Sequence, residues 1–203
     1  MNIHFVATLK DLAVATSIIF AIVAVLGIGI WRKELRSKPK FDVAQKLMIL
    51  AFQLKADFEW VRNPAGWSWE YTNRIERQNE SPQEKELLNQ WYSKNERLKP
   101  LTANLQRLEE AAWKADVVLG KDTFRYIPEA IEAYKRKYSE LSTAIYSLFE
   151  ARRREVTSGE PFKNQEYLKE LHKILYSSAD DAFSKSIEEA TSTLASALKT
   201  NVK

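Results

Sequence analysis

The run SPQEKELLNQWYSKNERLKPLTANLQRLEEAAWKADVVLG, residues 81–120, decides the architecture. It opens with Ser81 as N-cap, Pro82 at the first helical position and Glu84 three residues after the cap, the pattern in which cap and carboxylate satisfy each other's backbone N–H groups. Leu88, Trp91, Asn95, Leu98, Leu101, Leu105, Leu108, Ala112, Ala115 and Leu119 then recur at steps of three or four, which places them on one helix face. Gly120 supplies the stop. Pro100 does not break the series, so one continuous helix is predicted, kinked, with the proline outward. Asn95, the polar residue on the apolar face, reads as a register-setting side chain. Such a helix is about 50 Å long and cannot bury its stripe alone.

Three more stripes provide the partners. Ala44, Leu47, Ala51, Leu54, Phe58 and Val61 form one, closed by Asn63-Pro64. Phe124, Ile127, Ile131, Tyr134, Tyr138, Leu141, Ile145 and Leu148 form another, with Asp122 as its cap and Pro128 near its start. After the turn residues Ser158-Gly159-Glu160-Pro161, a single helix is expected from about Lys163, carrying Leu168, Leu171, Leu175, Ala179, Phe183, Ile187, Ala190, Leu194 and Ala197. Its steps slip to repeated fours, as at a stutter. The fold class that follows is all-α: an elongated antiparallel bundle of about four helices with coiled-coil-like spacing over residues 41–203. No strand pattern competes.

Ahead of the bundle, Leu12 to Trp31 is an uncharged run long enough to cross a bilayer and too long for a cleaved secretory signal. Arg32, Lys33, Arg36, Lys38 and Lys40 follow it, whereas Lys10 alone precedes it, so the positive-inside rule puts the N-terminus outside and the bundle in the cytoplasm. The expected organisation is a short extracytoplasmic segment (1–11), a transmembrane helix (12–31) and a basic juxtamembrane segment (32–40) at the inner membrane. Ser37-Lys38-Pro39 is expected to end the anchor helix. Trp31, Arg32, Lys33 and Arg36 are the membrane-interface residues. Ala13, Ser17, Ala21 and Gly29 share one row of the span, a face on which two copies can pair as a homodimer.

Composition excludes several chemistries. There is no cysteine, and 31 basic residues are nearly balanced by 27 acidic ones, a mixture rather than a cationic stripe for nucleic acid. Only His172 lies beyond the anchor, without the carboxylate three residues earlier that a di-iron bundle uses. It reads as an ordinary helix residue. Neither a phosphate-binding glycine loop nor a nucleophile elbow is present. The adjacent acids Glu109-Glu110 and Asp180-Asp181 diverge around their helices and read as solvated faces. No enzyme, metal or cofactor is expected.

The unusual stretch is Trp60-Val61-Arg62-Asn63-Pro64-Ala65-Gly66-Trp67-Ser68-Trp69-Glu70-Tyr71. Such aromatics either fold back and plug the end of the bundle or form a contact surface for a protein partner, with Trp60, Arg62, Asn63, Trp67, Trp69 and Tyr71 as the contact residues. A membrane-tethered interaction or scaffold protein is the first functional reading. The alternative is a sensor or enzyme that binds a small ligand among Trp113, Tyr134 and Tyr138 inside the bundle.

Three segments carry a resemblance: Trp31-Arg32-Lys33-Glu34-Leu35-Arg36-Ser37-Lys38, Phe41-Asp42-Val43-Ala44-Gln45-Lys46-Leu47, and Val61-Arg62-Asn63-Pro64. Over about residues 12–64 the chain resembles an uncharacterised family of bacterial single-pass inner-membrane proteins. Members of that family carry a glycine near the position of Ser37, where this chain departs. The resemblance implies a membrane location and a cytoplasmic helical domain, and it brings no catalytic residues.

Overall fold

A computed structural model describes residues 38–119, 126–176 and 181–201. Two compact units divide the chain, Met1–Asp42 and Val43–Lys203. Of the first, residues 38–42 are described, and they are helical and exposed. The expected anchor Leu12 to Trp31, its pairing stripe and the interface residues Trp31, Arg32, Lys33 and Arg36 lie outside the described residues, as do Asp122, Phe124 and Ala179. Among the described residues no helix is long and apolar enough to cross a membrane.

The second unit is all-helical. Helix α1 covers 43–62 of this unit, and its stripe Ala44, Leu47, Ala51, Leu54, Phe58 and Val61 is buried, with Leu50 added at its edge. A short 3-10 turn, Ser68–Tyr71, separates it from α2, Pro82–Leu119, which runs unbroken through an exposed Pro100. The Ser81 box forms as its spacing predicts: Glu84 N–H donates to Ser81 Oγ at 3.2 Å, and Ser81 N–H donates to Glu84 Oε2 at 3.3 Å. Helix α3, Tyr126–Ser158, ends at Gly159, whose φ of 72° is the left-handed conformation that glycine adopts without a Cβ clash.

Cross-links between helices fix the order. Asn104 Nδ2 donates to Asp57 Oδ2 (2.7 Å), and Arg97 Nη1 donates to the Asn63 carbonyl (2.8 Å), so α2 runs antiparallel to α1. Thr102 Oγ1 meets the Tyr138 hydroxyl (3.0 Å), and the Trp91 ring stacks on Phe149, so α3 runs antiparallel to α2. Tyr134 and Thr191 share a buried hydroxyl–hydroxyl bond (2.7 Å) between α3 and the last helix. Phe58, Tyr134 and Phe183 meet at the centre. Burying such stripes is the main favourable term, at roughly 1.5–3 kcal/mol per large apolar side chain.

Three expectations need correction. The stretch after Lys163 is not one helix: α4, Gln165–Leu175, stops at an extended Tyr176, and α5, Ala182–Asn201, starts afresh. Its repeated fours mark this break. Asp181 begins α5 by accepting the Ser184 N–H at 2.7 Å, so Asp181 is not part of a solvated helix face. On α2, Asn95 donates to the carbonyl of Trp91 in its own helix at 2.7 Å and sets no register between helices, whereas Ser93 and Arg97 are the buried polar residues. Leu101 to Leu119 keep the predicted face. Below Pro100 the buried face rotates toward residues 93 and 97, because there α2 faces the end of α1 rather than its stripe.

The α4–α5 break is held by Arg62, 1% exposed. Its guanidinium donates to the carbonyls of Lys173, Ile174 and Tyr176 (3.0, 2.7 and 3.2 Å) and pairs with Asp181 at 2.9 Å, with the Phe183 ring 4.4 Å away. One cation thereby caps the C-terminus of α4 and the N-terminal aspartate of α5. Arg62→Met is expected to lower unfolding stability by about 3 kcal/mol, because the part-buried aspartate and three carbonyls lose their donor. Urea titration checks this, with hydrogen exchange expected to accelerate first around the α4–α5 junction.

Candidate functional site

Helix α1 ends midway along the bundle, beside Arg97, while α2 has begun 15 residues earlier. Its last carbonyls therefore point into protein instead of solvent and must be paired there. Arg97, 3% exposed, supplies the donors: Nη1 reaches the Trp60 and Asn63 carbonyls (3.3 and 2.8 Å), and Nη2 reaches the Ala65 carbonyl. Its charge is balanced by Glu70, through Nε–Oε1 at 2.6 Å and Nη2–Oε2 at 2.8 Å, a two-pronged buried pair. The Ser68–Tyr71 turn carries Glu70 into this position, and Glu70 Oε2 also accepts the Trp67 N–H. Burial alone would raise the Glu70 pKa, but Arg97, the Trp67 N–H and Lys94 outweigh it and hold the carboxyl below its ordinary value.

Around this pair the three tryptophans stack. Trp60 and Trp67 lie 5.1 Å apart at 12°, and Trp69 lies 6.4 Å from each. The Arg97 guanidinium sits 4.6 Å from the Trp60 ring and 5.3 Å from the Trp67 ring. The stack flanks the bundle at the level where α1 stops, rather than plugging its end. Trp67 is 37% exposed and Trp69 64%. Trp60, Asn63 and Tyr71 are half-buried, and Asn63 Oδ1 accepts the Ala65 N–H in the turn. Arg62 is brought to the opposite purpose, buried beneath α4 and α5.

Further along the same loop Ile75 is 90% exposed. Its neighbours are pinned: Arg74 makes a two-pronged pair with Glu80 (2.9 and 2.7 Å) and donates to Asn89 (2.6 Å), and Glu76 pairs with Lys85 at 2.8 Å. Arg74, and then the Arg77 N–H, bring the Glu80 pKa down to about 2.

Lys94, one turn before Arg97, donates to the Val61 and Asn63 carbonyls (2.7 and 3.0 Å) and lies 5.2 Å from the Tyr176 ring. Burial, then the charge of Arg97, lowers its pKa to about 8. On the far side of Lys94 a cleft opens between α2, α3 and α4. His172 is half-buried there, edge-on to Tyr176 at 5.2 Å, its pKa lowered by burial and by Arg152.

The residues proposed from sequence for an internal ligand are not brought together. Tyr134 and Tyr138 are engaged by Thr191 and Thr102, and Trp113 is 71% exposed on the outside of α2. Arg97 and Lys94 do not stand out in the sequence pattern, because periodicity ranks residues by apolarity. Arg97 nevertheless stands four residues before Leu101 and eight before Leu105, in phase with the core, and a charged residue in that register was the available signal.

No protein-family model matches the chain, and comparisons with curated proteins and with solved structures likewise find no match. Among the described residues no group of three or more His, Asp or Glu side chains is placed to hold a metal ion.

These pKa directions set a pH dependence. Glu70 and Glu80 are lowered in the folded state, so they contribute stability above the ordinary value of 4.5 and lose it as pH falls, toward about 2 for Glu80. Lys94 is lowered from 10.5 to about 8, so the unfolded chain holds more protons between those values and stability rises with pH there. Urea titrations across pH are expected to show both slopes. Glu70→Gln should flatten the acid limb, and Lys94→Met the alkaline one.

Proposed function

We propose that the chain is a membrane-tethered interaction module whose loop 63–81 presents an aromatic and aliphatic surface to a protein partner at the cytoplasmic face. The observation that carries this reading is the exposure of Trp69 and Ile75 on a loop locked by two buried ion pairs, Glu70 with Arg97 and Arg74 with Glu80. Ile75 stands outside while its neighbours are pinned, Trp69 stays 64% exposed although it stacks on Trp60 and Trp67, and a preorganised aromatic anchor loses little entropy on binding. The contact set is Trp67, Trp69, Tyr71 and Ile75, with Trp60 and Asn63 as the base on which it rests.

Affinity purification of the full chain in mild detergent is expected to recover a protein partner. Trp69→Ala with Ile75→Asp should cut that recovery at least about tenfold, since a contact hot spot is worth 2 kcal/mol or more, while thermal unfolding stays near wild type. Undiminished recovery with a folded variant would reject the surface.

The tether is the uncharged run Leu12 to Trp31, oriented by Arg32, Lys33 and Arg36 behind it. Ultracentrifugation of gently broken cells is expected to sediment the protein with membranes. Protease added outside intact cells should leave residues 43–203 uncut, and soluble protein or external digestion would remove the tether from the proposal.

A further inference from the structure

Beyond the end of α1 at residue 62, α2, α3 and α4 continue without a fourth companion, and the seat that α1 leaves is a cleft of about 740 Å³, within the range of small-molecule sites. One wall is apolar and flat: Trp91 lies on Phe149 with centroids 4.3 Å apart and planes 24° from parallel, beside Leu148. Of the four Lys and Arg side chains that line the cleft, Lys85 and Arg97 are paired with Glu76 and Glu70, which leaves Lys94 and Arg152, from different helices. Lys94 Nζ spends two of its three N–H groups on carbonyls and makes no ion pair among the described residues. Arg152 on α3 gives one N–H to Glu155 at 2.7 Å and is 46% exposed. Between them stands Tyr176, its hydroxyl without a hydrogen-bond partner among the described residues. Burial first, and then neighbouring guanidinium groups, Arg97 for Lys94 and Arg152 for His172, lower the pKa of both. Glu86, the acid on the rim, accepts from Gln90 in its own helix.

We propose that this cleft binds a small organic anion with a flat apolar body, the body against Trp91 and Phe149 and the anionic group between Lys94, Arg152 and the Tyr176 hydroxyl. A planar body matches the aromatic wall, and an anion recovers the unused donors of Lys94 and Arg152. Tyr71 borders both the cleft and the loop surface, but Trp69 and Ile75 do not line the cleft, so the two are tested independently.

The test is calorimetric titration of the full chain in mild detergent with four probes of one shape: 2-naphthoate, 2-naphthyl phosphate, 2-naphthylmethanol and 2-naphthylmethylammonium. At least one anion is expected to bind about tenfold or more tightly than the alcohol, the worth of one charge-assisted hydrogen bond, and the ammonium more weakly still. Preference between the two anions identifies a carboxylate or a phosphate headgroup. Arg152→Glu, on a partly exposed helix surface, should lower anion affinity about tenfold or more, and Gln90→Trp, which fills the cleft from an exposed position, should abolish it. Equal binding of anion and alcohol, unchanged affinity in both variants, or no binding by any probe would overturn the proposal.

Discussion

A helix that ends inside a protein leaves carbonyl oxygens which water cannot reach, and that constraint governs this molecule. Helix α1 stops midway along α2, and the extended Tyr176 ends α4 against α1. In both places a guanidinium enters the protein to satisfy the exposed helix end, Arg97 for α1 and Arg62 for α4. The negative ends of the two helix dipoles favour the cations, and burial then demands a counter-charge. Glu70 and Asp181 provide it, and each arrives on a feature that otherwise looks incidental: a single 3-10 turn in one case, a helix restart in the other.

Once Arg97 and Glu70 are fixed, much of the neighbourhood follows. The guanidinium plane gives Trp60 and Trp67 a surface to lie against, and Glu70 ties the Trp67 backbone, while the third indole, Trp69, stays outward. Lys94 shares the same carbonyl of Asn63 with Arg97, which brings a second cation to the margin of the cleft. The exposed loop and the cleft are two sides of one solution to the problem of terminating α1 early.

The apolar stripes were legible because burial on a helix repeats at three and four, and every member of the α1 series from Ala44 to Val61 is buried. The Ser81 start was legible because capping is local chemistry. What escaped was non-local. Arg62 and Asp181 are 119 residues apart, and nothing in the pattern around either announces the other. The adjacent acids at 180 and 181 look like a solvated face until the chain breaks there, and the break showed only as a slip in spacing. Arg97 was hidden among polar neighbours although it sits in phase with the core. Ile75 was hidden because a lone aliphatic residue between Arg74 and Glu76 carries no periodicity at all.

Helices α1 and α5 lie side by side in opposite directions, linked by Lys55 to Glu188, Phe58 to Phe183 and Arg62 to Asp181. The bundle is therefore entered and left at one end. Tension between residue 43 and residue 201 would load these contacts in sequence instead of all together, peeling the pair apart like a zip. The arginine clasp lies at the far end of that track. It would be the last link to feel the strain, and the stacked indoles beside it would be shielded from mechanical load until most of α1 had come away.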